Sequence, residues 1–365
     1  MLTDIVQLLR ERQPYRRRVQ NIVANSRYVV FYGCGAIFAS IVETWMRYVG
    51  RPIDFCCDSN PEKWGQRYCD VPCISTEQLI AMKSECAIFV TVGKYQDVFD
   101  FLEEEGFTSV NLIYKYDLVA SDYLDEQPAE FVAERLVSAR TLFSDAQSLK
   151  VFDTIVRRAI GGDKTIDLMS SICDPIQYFD RAVVPLSDDE CYVDVGAYNG
   201  DTIEHFRKLV DGRYERAYGF ELDPANFSKL EKTVQGLPDR DKVEIFNLGA
   251  WDSTGEVRFS IGKSQSTVGE GDCVGHVVPL DDVLCGRRVS FIKMDIEGAE
   301  LHALRGGRNL IKQAQPKLAI CVYHHLSHLW ELPLYIRELL PDHQLFLRHY
   351  TSLEYETVCY AIPAK

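Results

Sequence analysis

The chain has 365 residues, 46% of them hydrophobic, and a formal net charge of −14 at neutral pH. That length is too great for one ordinary domain and suits two, each with enough apolar residues for a core. The acidic balance argues against nucleic acid or an anionic membrane as partner, since both reward Lys/Arg surfaces, and the one basic run, Arg16-Arg17-Arg18, is accounted for by a solvated helix face.

The longest uncharged stretch, 28–42, falls short of the ~20 residues of a spanning helix and holds Gly33 and Gly35, so no membrane insertion is expected. Asp4 follows Met1 closely with no apolar leader between, which predicts a cytoplasmic protein. The 12 cysteines then read as reduced thiols, mostly buried. They lack a zinc spacing: Cys56 and Cys57 are adjacent, and Cys69 and Cys73 have no second pair with suitable histidines. No metal site is expected from them.

In chain order, 2–25 reads as a helix or helix pair, and 28–32 as an apolar strand opening into Gly33-Cys34-Gly35. A helix follows through 48, then a strand over 52–57 ending at Asp58, a short helix over 77–82 and a strand over 87–92. A helix over 96–105 stops at Gly106, and a last strand covers 110–113. This alternation predicts a small Rossmann-like α/β domain over 1–118. Its glycine motif is incomplete, because Phe38 stands where a third small residue belongs. One reading is a nucleotide or nucleotide-sugar site with Asp58 on a ribose. The other is a module that has lost its ligand and serves docking or homo-oligomerisation, and the bulk of Phe38 favours it. The segment FCCDSNPEKWG resembles N-terminal modules attached to sugar-modifying enzymes.

Residues 119–185 read as a helical connector, with helices over 130–142 and 147–159 and a break at Gly161-Gly162. From 186 to 365 the pattern is again α/β. A strand over 192–195 runs into Asp194-x-Gly196-x-x-x-Gly200, a helix over 202–210 follows, and a strand over 216–220 ends in Glu221-Leu222-Asp223-Pro224. Strands over 243–247, 289–294 and 318–323 come next, the last ending in His324-His325. In open α/β sheets, ligands sit beyond the carboxyl ends of such strands. A glycine turn lets a flat cofactor approach the backbone, and an acid at the end of the next strand can accept hydrogen bonds from both ribose hydroxyls. The carboxylate of Asp194 beside the loop would repel a pyrophosphate and suit an amino group. S-adenosyl-L-methionine has an amino group, a sulfonium, a ribose and no phosphate. The same residues also fit an ordinary strand-turn-helix whose glycines only make the turn.

The pieces VDVGAYNGDT, GFELDP, NLGAWD, PLDDVL and IKMDIEGAE, with a tail of YHH, LWELP, LRHY and ETVCYA, closely resemble the FkbM-type family of S-adenosylmethionine-dependent methyltransferases. The resemblance covers roughly 191–363; the second histidine of YHH stands where relatives often carry lysine. It implies a C-terminal seven-stranded Rossmann-like methyltransferase sheet with an antiparallel terminal hairpin. The implied cofactor site comprises Asp194, Gly196, Tyr198, Asn199, Gly200, Glu221, Leu222, Gly249, Ala250 and Trp251. Asp194 and Gly196 would hold the methionine end, Glu221 the ribose, and Gly249 to Trp251 the adenine edge.

A hydroxyl acceptor must lose its proton near the transition state, so a base is needed by the sulfonium carbon. Asp295, His324 and His325 are the candidates, at the ends of two strands. Asp295 also fits a helix cap or a divalent-metal ligand, and an imidazole near neutrality suits a base. A metal held by these residues is less expected, as their spacing matches no metal motif. Glu297 and Glu300 read as helix-dipole acids, and Lys293 as the partner of a nearby acid. The expected activity is O-methylation of a sugar, glycan or glycosylated metabolite. Two alternatives are an NAD-dependent oxidoreductase using the N-terminal glycine turn and a non-catalytic binding protein with a degenerate cofactor fold.

Overall fold

The computed structural model describes residues 2–12, 15–93, 95–113, 115–161, 167–261, 266–268 and 273–364. The chain forms two compact units: residues 1–133 with 156–165, and residues 134–155 with 166–365. The segment expected as a connector is thus divided between them. Its helices span Ala129–Arg140 and Ala146–Gly161; Gly162 lies outside the described residues.

In the first unit, helices Leu2–Glu11 and Tyr15–Ala24 precede a sheet whose strands are β1 (Tyr28–Tyr32), β2 (Phe55–Cys57), β3 (Arg67–Tyr68), β4 (Val71–Ile74), β5 (Cys86–Val90) and β6 (Val110–Leu112). Their order is β3-β4-β2-β1-β5-β6, parallel except for β3. The strands β1 and β5 are apolar runs buried on both faces, as central parallel strands require. Helix Ala36–Val49 starts at Gly35 and ends at Gly50, which takes φ 76° as the C-cap. Phe38 is fully buried and packs edge-on against Phe31, with centroids 5.7 Å apart. It fills the space that a third glycine would leave between helix and strand.

The second unit is built on β7 (Cys191–Val195), β8 (Arg216–Phe220), β9 (Val243–Phe246), β10 (Gly249–Ala250), β11 (Gly255–Ile261), β12 (Ser266–Val268), β13 (Cys273–Val278), β14 (Phe291–Met294), β15 (Lys317–Cys321), β16 (His343–His349) and β17 (Thr357–Pro363). Seven of them form one sheet in the order β16-β17-β15-β14-β7-β8-β9. It is parallel from β15 to β9 and closed by the antiparallel β16–β17 hairpin. The expected seven-stranded methyltransferase-like sheet is therefore present. Its core joins Tyr192, Phe206 and Phe291, with Tyr192 stacked on Phe206 at 4.6 Å. Helix Asp201–Leu209 turns Ile203 and Phe206 inward and carries Asp201 and Glu204 in its first turn, complementing its dipole. A second small sheet, β10-β13-β11-β12, lies outside the sequence expectation.

Candidate active site

From β7 the chain moves outward to β8 and β9, then crosses to β14 and β15 on the other side of β7. Ligand crevices open where strand order reverses in this way. A cavity of about 500 Å³ lies there, lined by residues from the ends of β7, β8, β14 and β15.

At one end stands the glycine turn. Gly196 has φ 83°, and a Cβ on it would sit 2.0 Å from the Asp295 carbonyl oxygen, so only glycine fits. Gly200, at φ 88°, is the N-cap of helix Asp201–Leu209, and Asn199 accepts from Asp201 N at 3.1 Å. Glu221 is 8% exposed and lines the cavity. Its two oxygens accept from Tyr198 N and Asp223 N, each at 2.8 Å, and burial pushes its carboxyl pKa up. Asn247 Nδ2 donates to Glu221 O, and Gly249 packs on Leu222, where a Cβ would come within 3.1 Å. Trp251 stacks flat on His302, 4.0 Å between centroids and 4° between planes, and His302 Nδ1 lies 2.6 Å from Asp252 Oδ2. Tyr198, Leu222, Gly249, Ala250 and Trp251 all line the cavity, whereas the expected Asn199 and Gly200 are outside its lining and form the start of the helix after the turn.

Asp194 stands differently from the expectation. It is fully buried, and β7–β14 register sets it opposite Lys293. Lys293 Nζ lies 2.9 Å from Asp194 Oδ1 and donates to Gly196 O at 2.8 Å, while the Thr202 hydroxyl donates to Asp194 Oδ2. Burial alone would lower the Lys293 pKa, but Asp194 and Asp295 hold it above the ordinary lysine value. Both carboxylate oxygens of Asp194 are thus engaged inside the protein, and it is Lys293 and Thr202 that reach the cavity. The expected pairing of Lys293 with an acid is present.

At the other end, Asp295 Oδ2 accepts from Tyr178 OH at 2.9 Å and Oδ1 from Tyr323 OH at 3.0 Å. The following helix begins at Glu300 and has no side-chain cap, so Asp295 is not a capping residue. Glu297 lines the cavity in a left-handed conformation, φ 54°, and burial pushes its pKa up to about 7. Glu356, also left-handed at φ 65°, lines the cavity and is held by Gln177. Burial raises its pKa as well.

His324 lies behind this wall. Its Nδ1 is 2.9 Å from Glu300, and its Nε2 is 3.4 Å from Asp295 and 3.5 Å from Glu297. Burial alone would lower its pKa, but these carboxylates, Glu300 foremost, raise it to about 9. At neutral pH it is an imidazolium with no free lone pair, which does not fit the expected base. Glu300 is fully buried; burial alone would raise its carboxyl, but His324 and His328 bring it down to about 2. His325 points away from the cavity: its Nε2 would lie 2.6 Å from a Cβ on Gly298, and its ring meets His328 edge-on at 4.9 Å. His324 alone of the two histidines lies within 4 Å of the acids. Asp295, Glu300 and His324 do present ligand atoms within 4.8 Å of one another. His324 carries a proton at neutral pH, and a metal ion bound there would have to displace it.

Sequence reasoning missed Gln177, Tyr178, Tyr323 and Glu356 and read Glu297 as structural. Glu297, inside IKMDIEGAE, Tyr323, inside YHH, and Glu356, the first residue of ETVCYA, lay within stretches already singled out; Gln177 and Tyr178 did not. His349, in LRHY, is fully buried, bonded to Thr357 Oγ1 at 2.8 Å and outside the cavity lining.

Residues 194–350 match the family model described as the methyltransferase FkbM domain. The crystal structure of methyltransferase FkbM from Methylobacillus flagellatus KT superposes with a TM-score of 0.78 at 21% identity, covering 99% of this chain and 98% of that one. A precorrin-6y C5,15-methyltransferase from Geobacter metallireducens GS-15 superposes with a TM-score of 0.34 at 10% identity, over 54% of this chain and 96% of that one. No curated protein matches the chain. The sheet order and the family match together define a methyltransferase. The stretch that matches the methyltransferase FkbM domain lies within the second unit.

Proposed function

We propose that the protein is an S-adenosylmethionine-dependent O-methyltransferase acting on a hydroxyl of a sugar, glycan or glycosylated metabolite. The observation that carries this reading is a single cavity with Glu221 and Trp251 at one end and Asp295, Glu297 and two tyrosine hydroxyls at the other. The cofactor fits that set. Glu221 offers an acceptor to ribose hydroxyls, the flat face of Trp251 suits a purine, and the Gly196 cradle leaves room where a Cβ would intrude. Little positive charge faces the cavity, which agrees with a cofactor lacking phosphate: Lys293 is spent on Asp194 and the Gly196 carbonyl.

The cofactor supplies an electrophilic methyl on a good sulfide leaving group. What remains for the protein is to align the acceptor and exclude water. Asp295 is held rigid by Tyr178, Tyr323 and the His324 imidazolium and orients the acceptor hydroxyl. Glu297, with a pKa near neutrality and a place on the cavity wall, takes the hydroxyl proton. Asp295 thus keeps its expected place in catalysis, while the base passes from His324 to Glu297. Acidic walls and clustered hydroxyls suit a polyol acceptor, which offers donors to carboxylates. The test is a methyl-transfer screen with the full chain against nucleotide sugars, glycan fragments and small hydroxylated metabolites. Mass gain of one methyl on a hydroxyl of a sugar-bearing compound is expected; transfer to nitrogen or carbon acceptors alone would overturn the reading.

A further inference from the structure

We propose that Cys34, Cys56 and Cys73, in the first unit, form a binding site for a thiophilic closed-shell metal ion, Zn²⁺ or Cu⁺. The three sulfurs lie within 4.8 Å of one another, and Cys34 and Cys73 Sγ are 3.6 Å apart. Thiolates around an ion at metal–sulfur distances of about 2.3 Å stand roughly 3.8 Å from each other. Among the described residues no other three cysteines group in this way.

The backbone explains how spacings of 22 and 17 residues converge, Cys34 to Cys56 and Cys56 to Cys73. Cys56 on β2 and Cys73 on β4 are register partners, so their side chains leave the same face of the sheet side by side. Cys34 follows β1, the other neighbour of β2. Its turn is fixed by Gly33, at φ 105° with its N–H on Cys57 O at 2.7 Å, and by Cys34 N donating to Asp58 Oδ2 at 3.2 Å. The three residues are 8%, 0% and 2% exposed, inside the same apolar cluster. Sulfur donors in a closed apolar pocket select Zn²⁺ or Cu⁺ over hard cations. Three sulfurs complete a trigonal Cu⁺ site. Zn²⁺ needs a fourth ligand, and Asp58, next to Cys34 and now paired with Lys63 at 2.5 Å, is an oxygen donor beside the cluster.

Coordination involves no electron transfer: each sulfur that binds releases its proton to solvent. Contact with Cys56 and burial push the Cys34 thiol up, and burial pushes Cys73 up to about 12. Metal uptake is therefore coupled to proton release and tightens as pH rises. The bound ion ties together β2, β4 and the turn after β1, a structural role within the first unit.

The test uses the full chain, reduced and stripped of metal. It is titrated with Zn²⁺, and without oxygen with Cu⁺, against a chromophoric competitor, while proton release is followed in weakly buffered solution. One equivalent of at least one ion should bind with proton release and raise the melting temperature. Since losing even an outer-shell partner typically weakens a metal site ~10–100-fold, Cys34→Ala and Cys73→Ala should each weaken binding by at least about 100-fold. Cys285→Ala, at an exposed cysteine, should bind as the parent does. Cys34 sits at the edge of the cluster, so Cys34→Ala keeps the test valid if a substitution on β4 unfolds the unit. No uptake of either ion, uptake unchanged in both cluster variants, or a Cys34–Cys73 disulfide whose reduction leaves no metal affinity would each overturn the site.

Discussion

Glu297 takes a left-handed backbone that costs a non-glycine residue on the order of 1–3 kcal/mol. That cost is offset by a position where its carboxylate faces both the cavity and the His324 imidazolium. Glu297→Gln should lower kcat by ~10²–10⁴-fold, the usual worth of general-base help, while S-adenosylhomocysteine affinity stays unchanged. With a pKa of about 7 and a need for the deprotonated form, activity should rise with pH through about 7. It should fall again as His324 loses its proton near 9 and releases Asp295 and Glu297. A pH–rate profile with its only limb near 6.5, abolished in His324→Ala but kept in Glu297→Gln, would return the base to His324. Among single residues the sequence displayed Gly196, Glu221 and Asp295 because motifs carried them. It hid Tyr178, which follows helical connecting chain with no local pattern, and it misled on Asp194, whose burial depends on Lys293 lying 99 residues away.

At the scale of elements, the β7–β14 pairing places a buried carboxylate opposite a buried ammonium. Breaking such a pair by removing one partner leaves an uncompensated buried charge, at about 3–5 kcal/mol. Lys293→Met should therefore lower the urea midpoint of the second unit accordingly, whereas Lys317→Met at the sheet's other end removes a partly exposed partner of Glu190 and should cost less. Strands such as 28–32 and 216–220 were legible because apolar runs bounded by turns mark central strands. The sheet of β10 to β13 was not. Its strand Cys273–Val278 contains Gly275, where a Cβ would meet Leu222 at 2.3 Å, and β10 has only two residues. Such strands exist through their partners, which no local window displays.

Across the whole molecule, stability should follow the charges behind the cavity. His324 has a raised pKa, so its contribution is full below its unfolded value near 6.5 and is lost as pH climbs through about 9. Glu300 has a lowered pKa, so its contribution is present above about 4.5 and is lost as pH falls through about 2. His328, lowered by burial to about 4, adds destabilisation as pH drops below 6.5. Urea midpoints should thus fall on both sides of neutrality, and the gap between parent and His324→Gln should be wider at pH 6 than at pH 10. EDTA should leave methyl transfer intact, since a metal at the Asp295–Glu300–His324 group would have to displace the proton on His324. Activity lost in EDTA and restored by magnesium or manganese would contradict that. The central claim is that the cavity of the second unit holds S-adenosylmethionine with Glu221 on its ribose. Calorimetric titration of the full chain with S-adenosylhomocysteine and with NAD, in the parent and in Glu221→Ala, tests it most directly. The account predicts saturable binding of S-adenosylhomocysteine and little of NAD, weakened in Glu221→Ala by about 1–3 kcal/mol. Binding of NAD in its place, or an affinity for S-adenosylhomocysteine indifferent to Glu221, would contradict it.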